Sequence, residues 1–245
     1  MIIGTIDDSQ RKAARVAGFT YLFGLAAVVL ANFGVHERLI VAGNAAQTAR
    51  NIIEHERLFR IGIGLDLTYC AGLLLLLTAL YVILKPINRN LALLATFWSL
   101  VYALMWILMT LNLFDVLRLL SGADYLRAFE TERLQALARL YLRARFDEYY
   151  FGLLFYGMGS AVWGYLWFKS KYVPGALAAF GVISFVWAAA CSLAFIIFPT
   201  YSRVVNLWWF DSAMGIFEIT MGFWLLLKGL RPSATPEPRA APEHS

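Results

Sequence analysis

Carboxylates stand inside or beside long apolar runs at Asp66, Asp115, Asp147, Asp211 and Glu218. A charge at the centre of a membrane helix costs about 2.5–3.5 kcal/mol on insertion scales, so such a group pairs with a cation, takes up a proton or turns into a sheltered cavity. Asp211, Gly215, Glu218 and Gly222 follow one another at spacings of four, three and four, which puts two acids and two glycines on one helix face. That face is expected to turn toward protein or water. Arg60 and Arg203 fall at the same end of their segments as the acids and are the cations expected to meet them. Together Arg60, Asp66, Asp115, Asp147, Arg203, Asp211 and Glu218 are the candidate ligand-binding residues, in an acidic cavity suited to a small molecule or a cation. The same residues fit a second reading, in which buried ion pairs tie helices together and hold no ligand. A proton path through Glu218 has less support, because the opposite half of the chain's apolar segments offers mainly Thr78, Thr96, Ser99, Ser160, Ser184 and Ser192.

Other chemistries lack their residues. His36-Glu37-Arg38 and His55-Glu56-Arg57 repeat one tripeptide, and imidazole with carboxylate is an ordinary zinc donor set. Neither has a second histidine one turn away, and His244 is far off in the tail, so no metal is expected and both read as solvated helix ends. Gly157-Met158-Gly159-Ser160 is not a nucleophile elbow and has no histidine on a nearby segment. No phosphate-binding or dinucleotide glycine pattern occurs, so no cofactor is expected, and no catalytic residue is assigned. The reading leans away from an enzyme. Cys70 and Cys191 lie in apolar runs, which argues against a disulfide framework.

The elements that must position these residues are apolar helices. Apolar residues make up 60% of the chain, charged residues 15%, and mean hydropathy is +0.64, a composition for which lipid is the natural solvent. The formal charge of +5 is mild and dispersed, which speaks against nucleic acid and for lipid headgroups. The spacing predicts six spans at 13–34, 59–84, 91–114, 146–168, 173–198 and 207–227. The second span begins at Phe59 and stops at Lys85-Pro86, a cation followed by a helix breaker. A short helix outside the membrane is predicted over 44–57. Residues 124–145 read as a separate amphipathic helix, with Leu126, Phe129, Leu134, Leu137, Leu140, Tyr141 and Ala144 on one face. The glycines inside spans are read as packing positions that let helices approach.

The expected fold is therefore all-α: a polytopic membrane bundle of six helices in three outward hairpins, plus an extracytoplasmic amphipathic helix. Residues 1–12 form a polar N-terminal segment, 13–231 the membrane domain, and 232–245 a disordered tail rich in proline and alanine. All five lysines, Lys12, Lys85, Lys169, Lys171 and Lys228, flank span ends on one side. Basic residues in short flanks mark the cytoplasmic face, so both termini are expected in the cytoplasm.

Three stretches carry a family resemblance: Arg57-Leu58-Phe59-Arg60-Ile61-Gly62-Ile63-Gly64-Leu65-Asp66-Leu67, Lys85-Pro86-Ile87-Asn88-Arg89-Asn90, and Ala14-Arg15-Val16-Ala17-Gly18. In these the chain resembles the bacterial integral membrane family catalogued as domain of unknown function 4386, over nearly all of 11–231. The resemblance implies a multi-pass protein of the bacterial inner membrane and no biochemical role; it draws attention to Arg60, Asp66, Asn88 and Arg89. The expected partners are the bilayer and a small molecule or cation, with no protein partner identified. The alternative is a non-catalytic scaffold that uses 124–145 to dock lipid or another membrane protein.

Overall fold

The computed structural model describes residues 6–198, 200, 201, 205 and 208–232, and these are helices joined by short turns. Helix α1 spans Asp8–Leu39, α2 Ala45–Glu54, α3 Glu56–Leu84, α4 Arg89–Leu120, α5 Thr131–Ser170, α6 Gly175–Ile197 and α7 Trp208–Leu227. Among the described residues four of them, α1, α3, α4 and α6, are long and apolar enough to cross a membrane. Arg203, Pro199 and the tail from 233 onward lie outside the described residues.

Local chemistry sets the boundaries. Asp7 caps α1: its side chain accepts from Gln10 N at 2.6 Å, and the Gln10 side chain accepts from Asp7 N at 3.1 Å. This reciprocal pair satisfies two amides that a helix start leaves without partners. Asn44 and Asn88 each cap one amide, of α2 and α4, accepting from Gln47 N and Leu91 N at 2.9 and 3.1 Å. The α3–α4 turn thus falls where Lys85-Pro86 predicted it. Lys171, at φ 59°, closes α5 in a left-handed conformation and turns the chain into α6.

The long helices make a closed ring. Each of α1, α3, α4, α5, α6 and α7 packs on the next, and α7 returns to α1. Glycines bring the partners close. A Cβ on Gly18 of α1 would lie 2.8 Å from the Gly222 carbonyl oxygen of α7, and one on Gly157 of α5 would lie 2.7 Å from the Phe185 oxygen of α6. Packing against backbone at that distance leaves no room for a side chain.

One expectation is corrected. The segment 124–145 is not a helix of its own: Asp124–Leu126 forms a single 3-10 turn, and α5 then runs unbroken for 40 residues from Thr131 through the predicted fourth span. No glycine or proline occurs between Thr131 and Phe151, and the Leu, Arg, Ala, Glu and Gln there are strong helix formers. Composition changes from amphipathic to apolar along one rod about 60 Å long.

Two apolar cores are stacked along this ring. The larger runs from Ala13 and Leu84 near the lysine-bearing end up to Met109 and Leu153. The smaller holds Val35, Leu39, Phe59, Ile63, Leu113 and Leu142 near the other end, with Ile52 of α2 among them. Asp66, Asn112, Arg145 and Glu148 fall between the two sets in sequence order along α3, α4 and α5.

Candidate functional site

A cavity of about 1110 Å³ opens within the ring, toward the end opposite the lysines. Its charged floor comes from α7, where Asp211, Gly215 and Glu218 line the space. A Cβ on Gly215 would meet nothing within 4 Å. Gly222 lies further along α7, against Leu22 and Gly18 of α1.

Helix α5 faces this stripe with matching periodicity. Tyr149 donates its hydroxyl to both Asp211 oxygens at 2.9 Å, and Tyr156 donates to Glu218 Oε1 at 2.6 Å. Seven residues separate the tyrosines and seven separate the acids. Seven residues are close to two helical turns, so the pairs form parallel rungs about 10 Å apart. Neither acid has a cation within 4.0 Å among the described residues.

Aromatic rings wall the same region. Tyr69 of α3 lies 4.7 Å from Trp106 of α4, centroid to centroid; Tyr102 stacks on Tyr156 at 4.5 Å, and Trp106 meets Tyr149 edge-on at 6.1 Å. The Tyr69 and Tyr102 hydroxyls are 3.3 Å apart. Trp106 is 5% exposed, lines the cavity, and its Nε1 has no protein acceptor among the described residues. A buried donor without an acceptor carries a free-energy cost that a ligand or water relieves. Two carboxylates inside an aromatic enclosure form an arrangement that attracts organic cations, through charge and through the negative faces of the rings.

Above this chamber lies a second polar layer. His36 Nε2 sits 3.0 Å from Asp66 Oδ2, and both side chains are about 95% buried, at 4% and 5% exposure. The approach depends on two local features. Residues Leu30–His36 of α1 are wound as a π-helix, a form that recurs at functional positions. Gly62 of α3 gives that stretch its seat, since a Cβ there would fall 2.9 Å from Val35 Cγ1 and 3.1 Å from His36 Cε1. Asp66 follows Gly62 by four residues on the same face. Arg145 of α5 lies within electrostatic reach of Asp66 and Glu148, and Glu148 accepts from Asn112 Nδ2. His36 Nδ1, Arg145 Nε and Glu148 Oε2 are buried without a protein partner among the described residues.

The predicted residues therefore separate. Asp147, Asp211 and Glu218 line the cavity. Asp66 lies outside its lining and pairs with His36, where Arg60 had been the expected partner. Arg60 instead holds Glu56 one turn away at 2.7 Å, both half exposed. Asp115 pairs with Arg118 at 3.2 Å near the surface. Arg203 lies outside the described residues. His36 was read as a solvated helix end and is buried; Tyr69, Tyr102, Trp106, Arg145, Tyr149 and Tyr156 were not singled out as site residues. The repeat of seven shared by Tyr149/Tyr156 and Asp211/Glu218 was the available signal for two of these. Among the described residues, no three of His, Cys, Asp and Glu converge as a metal site.

Residues 16–229 match the model of the family described as "Domain of unknown function (DUF4386)", and the chain belongs to that family. No curated protein and no solved structure matches it.

Proposed function

We propose that this DUF4386 member is a six-span protein of the bacterial inner membrane, both termini cytoplasmic, that binds a small organic cation in its outer-half cavity. Support for six crossings comes from the ring: α5 is flanked by α4 and α6, and α7 by α6 and α1, so helices apolar enough to span enclose both. Support for the orientation comes from the lysines, all at the ring end away from the cavity, as cytoplasmic flanks require.

The observation that carries the cation reading is the pairing of Asp211 and Glu218 with tyrosine hydroxyls, inside walls of Tyr69, Tyr102 and Trp106, with no protein cation at either acid among the described residues. An ammonium group placed there gains charge attraction from the acids and about 0.5–2 kcal/mol from each well-placed ring face. Exchange of the bound cation across the bilayer would make the protein a transporter; the carboxylate chamber is common to binding and transport. The test is titration of the purified full chain with tetramethylammonium, read by tryptophan fluorescence. Saturable quenching that weakens about tenfold or more in Asp211→Asn supports the reading, on the scale of 1.4 kcal/mol per decade. Absence of saturable quenching in the unmodified protein overturns it.

A scaffold role for 124–145 finds one favourable observation: Tyr125, Phe129, Leu137 and Leu140 are 68%, 53%, 42% and 63% exposed. Ala138 and Leu142 of the same segment are taken up by the smaller core and are not open to a partner.

A further inference from the structure

The outer end of the cavity differs from its acidic floor in carrying arginines in excess over acids. Arg139, Arg143 and Arg145 of α5 all line it, together with Glu37 and Asp147. None of the three arginines has a carboxylate within 4.0 Å among the described residues. Surface arginines elsewhere on this chain do find acids, as Arg60, Arg118, Arg127 and Arg133 show. Arg145 is also the deepest of the three, with its Nε buried and unpartnered. A guanidinium presents several donors in a rigid fork that fits carboxylate or phosphate oxygens, and although Asp66 and Glu148 lie within electrostatic reach of Arg145, no described carboxylate occupies that fork.

Helical geometry sets the spacing between the two ends. Arg145 precedes Tyr149 by four residues, about 6 Å along α5, and Tyr149 holds Asp211. The cavity thus offers an anion-binding end and a cation-binding end roughly one helical turn apart. We infer that the ligand is a zwitterion, whose ammonium group sits among Asp211, Glu218 and the aromatic rings while its carboxylate or phosphate meets Arg145, supported by Arg139 and Arg143. The inference rests on the cation reading above and adds the ligand's second charge. A free solute and a lipid headgroup of this kind share the same chemistry, and the protein would bind either by the same residues.

The test compares choline with phosphocholine on the full chain in a non-ionic detergent, by tryptophan fluorescence. Phosphocholine is expected to bind about tenfold or more tightly than choline, as one added charge pair in a sheltered site allows. Arg145→Gln should remove that advantage without weakening choline binding, since it takes away a like charge, whereas Asp211→Asn should weaken both probes. Arg139→Gln and Arg143→Gln, at less buried positions, should each reduce the advantage and serve if the Arg145 variant does not fold. Equal affinity for the two probes, or an advantage that survives all three arginine substitutions, overturns the zwitterion and leaves the cation site standing. Failure of both probes to bind the unmodified protein overturns both. In nanodiscs, competition by phosphatidylcholine relative to phosphatidylglycerol would assign the zwitterion to a lipid headgroup; phosphocholine binding that is indifferent to the lipid would assign it to a free solute.

Discussion

Removing the imidazole of His36 should destabilise this protein far more than removing the guanidinium of Arg60, although the sequence alone assigns Asp66 to Arg60. In the folded chain Asp66 is 4% exposed and its Oδ2 lies 3.0 Å from His36 Nε2. A hydrogen bond to a charged acceptor contributes about 1.5–3 kcal/mol. His36→Ala also leaves a void between Val35, Gly62 and Phe59, whose ring the imidazole meets edge-on at 6.0 Å, and incomplete collapse adds a cavity cost. Together these give about 3–4 kcal/mol, in the range for breaking a buried pair from one side. Asp66→Asn, which keeps an acceptor for the histidine, should cost less than His36→Ala. Arg60 and Glu56 are both about half exposed at i and i+4, an arrangement worth about 0.3–0.5 kcal/mol. Thermal or denaturant unfolding of the three variants in one detergent, followed by far-UV circular dichroism, measures the order. His36→Ala within 0.5 kcal/mol of the unmodified protein, or Arg60→Ala costing as much as His36→Ala, would refute the reasoning.

Further outcomes follow from the packing. Gly18→Ala puts a methyl group 2.8 Å from a backbone oxygen and 2.9 Å from Leu226, so α1 and α7 must move apart; overpacking of this kind costs about 1–3 kcal/mol, and the same unfolding assay should show it. Leu142→Ala, at a position 8% exposed in the smaller core, should cost about 2 kcal/mol or more. Leu140→Ala, at 63% exposure, should change stability by less than about 0.5 kcal/mol. Equal effects at 140 and 142 would mean that the first half of α5 is not docked on the smaller core.

Much of the frame was legible because it rests on strong local signals. Lys85-Pro86 marked the α3–α4 turn, and the helix predicted over 44–57 appears as Ala45–Glu54. The stripe of Asp211, Gly215 and Glu218 was readable from spacing, and it lines the cavity. The continuity of α5 was missed because a change in polarity was taken for a break, whereas a helix ends only where its backbone chemistry requires it. The burial of His36 was missed for a different reason. His36-Glu37-Arg38 has the composition of a solvated end, and the π-helical winding that turns the imidazole onto Asp66 leaves no compositional trace. Partner choice for a buried acid depends on which helices meet, and proximity in sequence favoured Arg60, which found a nearer acid in Glu56.

The polar side chains of the site are carried by helices whose outer faces are largely apolar. Helices α5 and α7 supply Tyr149, Tyr156, Asp211 and Glu218 from within largely apolar stretches. Averaging over a window treats every side chain as if it faced lipid. On α7, Met214, Phe217, Met221 and Leu225 are buried, while Ile216, Phe223 and Leu227 are more than half exposed. On α5, Gly157 and Gly159 press against neighbouring helices, whereas Phe151 and Phe168 are exposed. Both helices thus present apolar side chains outward and carry Tyr149, Tyr156, Asp211 and Glu218 toward the cavity. A bilayer penalises polarity only on the surface it touches, so the acids of α7 count against a membrane crossing only if they face outward. They face Tyr149 and Tyr156 instead.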